Sequence, residues 1–454
     1  MCWQNPAAWS TSSTAKLPEL HVVNLYITLG SRTMKWLLIT LLLAAGYLPH
    51  CYAQSPPGIV VPLANQCVQN STSVICVNKY ASVMPYHFNR TVSNGTADYD
   101  FRNTTDGNAT ESFDLMQNAD FLVFDQKRGL QYLGANPSYE YVFEVSGAVH
   151  EAPVYAPVQN KLFLSQLAPP PGFLPQLVID LNQKPPTLSN FTPSPPIYAP
   201  NGGTFRNGLI LFGASGGNNS IGGTEQRVSL RTLDPATNKS DVLLNNYFGF
   251  YFNTIDDLAV HPTSRDIFFT DPQYSWFNSL TDTAPQLGTA SYRFNPETGA
   301  TFLIDDTLQQ PNGIAFSPDG STLYISDTGA VSGTIDPRLP LGSQGASFNT
   351  TGRRSIYAYD VANNGTKISN LRIFYLAQDW VPDGLKVSAE GLVVTGAGRG
   401  VDILDDMGQL LIRIQTNYTV QNFAWTGSDL KTFWLMGQGG ISKVVWNITG
   451  QKLH

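Results

Sequence analysis

Four stretches of this 454-residue chain place an oxygen-bearing side chain one to three residues ahead of an apolar run. Glu151 stands in His-Glu-Ala-Pro-Val-Tyr, Asp256 and Asp257 in Asn-Thr-Ile-Asp-Asp-Leu, Asn312 in Gln-Pro-Asn-Gly-Ile, and Asp383 in Val-Pro-Asp-Gly-Leu. Carboxylates with one amide, and neither cysteine nor a necessary histidine, form a set of hard oxygen donors that suits Ca²⁺ and is poorly matched to zinc. A carboxylate in such a set can also take a proton from water or attack a carbonyl carbon. Taken singly, Pro-Asn-Gly and Pro-Asp-Gly are ordinary turn sequences. Their recurrence in one register marks them as a constellation.

Two glycine-rich segments compete for attention. Gly213-Ala-Ser-Gly-Gly217 has the G-x-S-x-G spacing of a nucleophile elbow and follows an apolar strand. That device needs a helix directly after the serine, and Asn218-Asn-Ser-Ile-Gly-Gly223 cannot supply one. The histidines downstream are His261, inside a repeated turn, and the terminal His454. Gly396-Ala-Gly-Arg-Gly400 lacks dinucleotide-binding spacing and is expected to be a turn.

The elements that must position the oxygen donors are short strands in a repeated frame: an apolar strand, a Pro-Asp-Gly-like turn, then a second apolar strand ending in a small or acidic residue. Ile314-Ala-Phe-Ser-Pro-Asp-Gly-Ser-Thr-Leu-Tyr-Ile-Ser-Asp327 compares with Leu258-Ala-Val-His-Pro-Thr-Ser-Arg-Asp-Ile-Phe-Phe-Thr-Asp271 and with the run from Leu385 to Thr395. Units of four short antiparallel strands repeating every roughly 40 to 70 residues are the signature of propeller blades. Six are expected, near 151–190, 198–248, 256–305, 312–376, 382–415 and 420–450, with the Phe121 strand closing the ring against the last. Equivalent places in different blades converge at the axis, so the donors can meet despite their separation in sequence. The Pro-rich 185–200 and the segment 330–352 are expected as loops.

Composition agrees. Thirty-nine Gly, 30 Pro and an 11% aromatic content favour strands and tight turns over long helices. The net charge of −7, with no basic run, leaves nucleic acid without an electrostatic footprint and gives no cationic membrane-binding surface. Met34-Lys35, the apolar run from Trp36 to Ala45, and Cys51-Tyr-Ala53 are the parts of a secretory signal peptide with Gln54 as the mature start. Residues 1–33 then read as a non-native leader, 34–53 as the signal, 54–120 as a polar, glycosylated, loosely structured arm, and 121–454 as the propeller. Removal of the signal leaves Cys67 and Cys76, expected as a local disulfide in an oxidising compartment. Twelve Asn-x-Ser/Thr sequons, from Asn70 to Asn447, fit a secreted glycoprotein without membrane attachment. The expected fold is all-β, a six-bladed β-propeller with a disulfide-held N-terminal arm.

Gln310-Pro-Asn-Gly-Ile-Ala-Phe-Ser-Pro-Asp-Gly-Ser-Thr-Leu-Tyr-Ile-Ser-Asp-Thr328 resembles the hallmark of the senescence-marker-protein/gluconolactonase family, and Val381-Pro-Asp-Gly-Leu, Asp256-Asp-Leu and Glu151-Ala-Pro-Val-Tyr follow in that family's order. The resemblance covers roughly 148–450, and the sequon-rich form is similar to secreted fungal lactonohydrolases. It implies one divalent cation, usually Ca²⁺, held by Glu151, Asn312 and Asp383 with Asp256 beside them. It also implies hydrolysis of a sugar-derived or small aliphatic lactone, with Asp383 as base or nucleophile and Asp256 in reserve. Two departures stand out: Asp256 where Asn is common, which adds a negative charge, and Ala152 where Gly is usual. A calcium-dependent phosphotriesterase and a non-catalytic scaffold with a structural ion are the alternatives.

Overall fold

The strands are apolar on both faces because both faces are covered. In Ile267–Asp271, alternation sends Phe268 to one neighbouring sheet and Phe269 to the other, and both rings are fully buried. Leu211 and its neighbours Ile210 and Phe212 divide in the same way. Such a strand cannot lie at a one-sided sheet; it must sit between two others, and every inner strand of the chain has this character. The computed structural model describes residues 63–68, 71, 73–78, 107–167, 175–221 and 224–453.

Five sheets have four antiparallel strands. The first comprises Val154–Ala156, Lys161–Leu164, Gln176–Asp180 and Thr187–Phe191, and the second Pro200–Arg206, Leu209–Ala214, Ser229–Leu233 and Ser240–Leu244. The third runs from Leu258–Val260 through Ile267–Asp271 and Ala290–Phe294 to Thr301–Asp305, the fourth from Pro311–Phe316 through Thr322–Asp327 and Ser355–Ala362 to Lys367–Leu376. The last contains Thr419–Thr426, Thr432–Gln438, Gly440–Val445 and, from far upstream, Ser138–Glu144. Between the fourth and the last lies a seven-stranded sheet. Its strands Pro382–Val387, Val393–Ala397, Gly400–Leu404 and Leu410–Gln415 repeat the four-stranded pattern, and Phe121–Val123, Val74–Val77 and Ala64–Gln66 extend it outward. Against the six blades expected, five plain four-stranded blades are present among the described residues, and the 382–415 repeat lies within the seven-stranded sheet as its first four strands.

Burial falls from axis to rim. Pro311–Phe316 is buried throughout, whereas Lys367–Leu376 is mostly exposed. Apolar clusters fill each gap between neighbouring sheets, and the one containing Tyr155, Leu162, Trp434 and Met436 joins the last sheet to the first. Burying a side chain of this size stabilises by about 1.5–3 kcal/mol.

The structure corrects three expectations. The Phe121 strand does not close the ring: it pairs with Leu410–Gln415 at the rim, and Ser138–Glu144 makes the closure against Gly440–Val445. In its described parts the 54–120 region is ordered, not loose. Ala64–Gln66 and Val74–Val77 form a hairpin, joined by the Cys67–Cys76 disulfide, that adds to a blade. A helix, Gly107–Gln117, packs Ala109, Phe113 and Met116 on Leu63, Ile75 and Leu122. Finally, Thr187–Phe191 lies inside the stretch expected as a loop; its alternation is hidden among prolines. The leader and signal segments lie outside the described residues, as do several of the N-terminal sequons. Among the described residues no helix is long and apolar enough to cross a membrane.

Candidate active site at the centre of the ring

At or near the start of each inner strand stands one pair of residues: Glu151-Ala152, Asn201-Gly202, Asp256-Asp257, Asn312-Gly313, Asp383-Gly384 and Gln421-Asn422. The glycines are demanded by space. A Cβ on Gly313 would sit 2.5 Å from the Asp383 carbonyl oxygen, one on Gly384 2.5 Å from Asn422 Cγ, and one on Gly202 would overlap the Asp256 carbonyl. Because each inner strand presses against the next at this point, the preceding Asn or Asp is held at the centre. Ala152 replaces glycine in the first sheet and takes φ 55°, a left-handed conformation that costs an L-residue roughly 1–2 kcal/mol.

The acidic residues that end second strands secure the approach to these pairs. Asp271 accepts a hydrogen bond from the Thr254 N–H (2.7 Å), two residues before Asp256. Asp327 accepts from the Gln309 and Gln310 N–H groups (both 2.9 Å), just before Asn312. The acidic strand ends of the sequence repeat are therefore braces for the site and not members of it.

The structure brings Glu151, Asp256, Asn312 and Asp383 together. Asn312 Nδ2 donates to Asp256 Oδ2 (3.3 Å), and Asn201 Nδ2 donates to Asp256 Oδ1. Glu151 and Asp383 influence one another's ionisation. Glu151, Asp256 and Asn312 are almost completely buried, while Asp383 keeps some exposure. Glu151 Oε2 and Asn312 Oδ1 are buried acceptors without a hydrogen-bond partner. Burial, followed by the charges of neighbouring carboxylates, holds Glu151 and Asp256 well above the usual carboxylate range. Burial pushes Asp383 up to about 7. His150, 3.8 Å from Glu151 through Nδ1, is driven down to about 4 by burial and offers no countercharge at neutral pH.

Uncompensated oxygens of this kind fit a hard cation. Among the described residues no group of three or more His, Cys, Asp or Glu side chains is gathered closely enough to hold an ion alone. A cation here needs amide oxygen as well as carboxylate, and Asn312 Oδ1 is the available donor.

Asp256, Asn312 and Asp383 line a pocket of about 200 Å³, with no Lys or Arg among the described residues of its wall. Ser215, the serine of the G-x-S-x-G stretch, also lines it, but its hydroxyl donates to the Ile255 carbonyl (3.3 Å) and a strand, Asn218–Ile221, follows it. Sequence reasoning missed Asn201, Gln421 and His150. Pro200-Asn201-Gly202 repeats the Pro-Asn-Gly signal and was there to be found; Gln421-Asn422 carries no glycine or proline to mark it.

A propeller with acids at the floor of an axial pocket defines the class, and comparison with known proteins supplies the family. The SMP-30/gluconolactonase/LRE-like region matches residues 203–332 and 346–437. Lactonohydrolase oryL of Aspergillus oryzae is 43% identical over 88% of this chain and 91% of its own length, and lactonohydrolase oryH of the same organism 39% identical over 87% and 95%. A gluconolactonase of Zymomonas mobilis is 29% identical over 42% of this chain and 49% of its own. The chain belongs to the SMP-30/gluconolactonase family. Among solved structures, a gluconolactonase of Xanthomonas campestris superposes with TM-score 0.56 at 22% identity, covering 71% of this chain and 94% of its own. A calcium-binding regucalcin of Agrobacterium tumefaciens does so with TM-score 0.50 at 15% identity, covering 70% and 96%. These two likenesses concern the fold.

Proposed function

We propose that this protein is a secreted, calcium-dependent lactonase built on a six-bladed propeller. The observation that carries the proposal is a buried oxygen cluster in which Glu151 Oε2 and Asn312 Oδ1 lack hydrogen-bond partners, with Asp256, Asn312 and Asp383 lining a pocket, in a chain closely related to lactonohydrolases. Glu151, Asn312 and Asp383 would hold the ion, with Asp256 beside them. Calcium, when bound, supplies positive charge for the ester carbonyl oxygen as negative charge grows there.

The remaining chemistry belongs to the chain. Asp383 takes a proton from a water molecule as its oxygen bonds to the carbonyl carbon; the ring C–O bond then breaks, and the departing alkoxide receives the proton, giving a hydroxy acid. Asp256, fixed by the amides of Asn201 and Asn312, keeps its carboxyl oriented toward the same space. An ion serving only as a structural scaffold would have no need of a pocket, and the pocket argues for hydrolysis.

A lactone panel followed by pH-stat tests the proposal. Turnover is expected to vanish on exhaustive chelation and return with Ca²⁺. Turnover indifferent to chelation removes the ion from the reaction, and a protein that opens no lactone but cleaves phosphotriesters is the alternative hydrolase.

Secretion has its own support and its own test. Six described sequon asparagines, Asn190, Asn238, Asn349, Asn364, Asn417 and Asn447, are exposed and accessible to glycan transfer. The protein from a secreting eukaryotic host is expected to begin near Gln54 and to drop in apparent mass on deglycosylation. N-terminal sequencing that finds residues 1–33 retained would refute this.

A further inference from the structure

Beyond the oxygen cluster, the pocket has a mixed lining with a distinct apolar part. Its upper wall is formed by Leu167, Leu280, Val331, Trp380 and Val381. Recognition of a polyhydroxylated ring needs free donors and acceptors; Asn278, Thr419, Gln421 and Gln438 also line this pocket, whereas the hydroxyls beside its apolar wall are already engaged. Thr254 Oγ1 bonds Ser275 Oγ (2.9 Å), and Ser275 Oγ donates to the Ser215 carbonyl (2.6 Å). Thr328 Oγ1 donates to the Gln310 carbonyl (3.1 Å), and Tyr274 OH reaches the Val331 carbonyl (3.0 Å). With no Lys or Arg among the described residues of the wall, an anionic substituent finds no partner there either.

The apolar wall is also firmly built. Its Val331 and Ala346 come from the long insertion between Thr322–Asp327 and Ser355–Ala362. A two-residue ladder, Val331–Ser332 against Ser347–Phe348, organises that insertion. Gln310 Nε2 ties it down through Ser332 Oγ (3.2 Å), and Phe348 stacks on Trp380 with ring centroids 4.4 Å apart and planes at 27°. Trp380 itself directly precedes Val381-Pro382-Asp383, so the indole and the proposed base share one short segment.

Resting on the lactonase reading, we infer that the substrate is a neutral lactone carrying an alkyl substituent, and that Trp380, backed by Phe348, is the residue that reads this substituent. An apolar chain gains by leaving water for this wall, whereas hydroxyls would lose hydration without replacement.

The test compares δ-valerolactone, δ-hexalactone, δ-octalactone and δ-decalactone with glucono-δ-lactone, after subtraction of spontaneous hydrolysis. For the parent protein kcat/KM is expected to rise about threefold per added methylene, mainly through KM. Glucono-δ-lactone should lie about tenfold or more below δ-decalactone. Trp380→Ala should flatten the chain-length dependence, Trp380→Phe should keep most of it, and Phe348→Ala should fall between, with circular dichroism showing each variant folded. Preference for glucono-δ-lactone, or an unchanged chain-length slope in Trp380→Ala, overturns the inference and leaves the lactonase reading standing. A panel in which no lactone is opened overturns both.

Discussion

Asp383→Asn is expected to fold normally and to lose lactone turnover by about 10²- to 10⁴-fold, the usual consequence of deleting a general base. The amide keeps an oxygen donor for a cation but has no usable basicity, so the loss should appear in kcat with the metal site saturated. Asp256→Asn is expected to be much milder. Asp256 accepts amide hydrogens from Asn201 and Asn312, and an asparagine oxygen can still accept from one of them. It also restores the residue common in the family. Steady-state kinetics at saturating Ca²⁺ decide the matter: near-parent rates for Asp383→Asn together with an inactive Asp256→Asn would reverse the two roles.

Chelation is expected to expose the electrostatic cost of the cluster, and to do so most at alkaline pH. Burial and mutual repulsion raise Glu151, Asp256 and Asp383 in the folded protein, Asp383 to about 7, so the ion-free native state binds protons more tightly than the unfolded chain does. Stability from these groups is therefore fully present below the unfolded carboxyl value of about 4 and is lost as pH rises through the folded value. In chelator, the melting temperature should fall between pH 5 and 8. Calcium at 100 times its dissociation constant restores about 2.7 kcal/mol, a rise on the order of 5 °C. The gain should be greatest near pH 8, where protons no longer compete for the oxygens. Calorimetry at pH 5, 6.5 and 8 measures this, and a melting temperature indifferent to chelator at pH 8 would place calcium elsewhere or nowhere.

The blades were legible because their physics is local. A strand buried on both faces shows as an unbroken apolar run, and the turn between two strands shows as Pro-Asp-Gly; together these put the expected repeats within a few residues of five four-stranded sheets and of the first four strands of the seven-stranded one. Glu151, Asn312 and Asp383 were legible because the fold repeats, so that one register stands for one place in space. The closure was not legible, since Phe121–Val123 and Ser138–Glu144 are equally good edge strands, and only the distant partners distinguish them. The helix Gly107–Gln117 was hidden for a related reason. Its buried face, Ala109, Phe113 and Met116, is sparse and gains its meaning from the hairpin it covers. Trp380 lay in plain view beside Val381-Pro-Asp-Gly, but its role depends on a ring stacked from an insertion more than thirty residues upstream.

The strand that closes the ring also sets a clock on its assembly. Ser138–Glu144 leaves the ribosome long before Gly440–Val445, the strand to which it is paired among the described residues, has been made. Until Gly440–Val445 emerges, the final sheet lacks its outer strand's partner and the first sheet faces no neighbour on that side. Blades can form singly as they are synthesised, but the circle that gathers the six pairs at its centre can be completed only after Gly440–Val445 has been made. Any truncation upstream of Gly440 therefore leaves an unpaired β-edge, which is a site for association between chains.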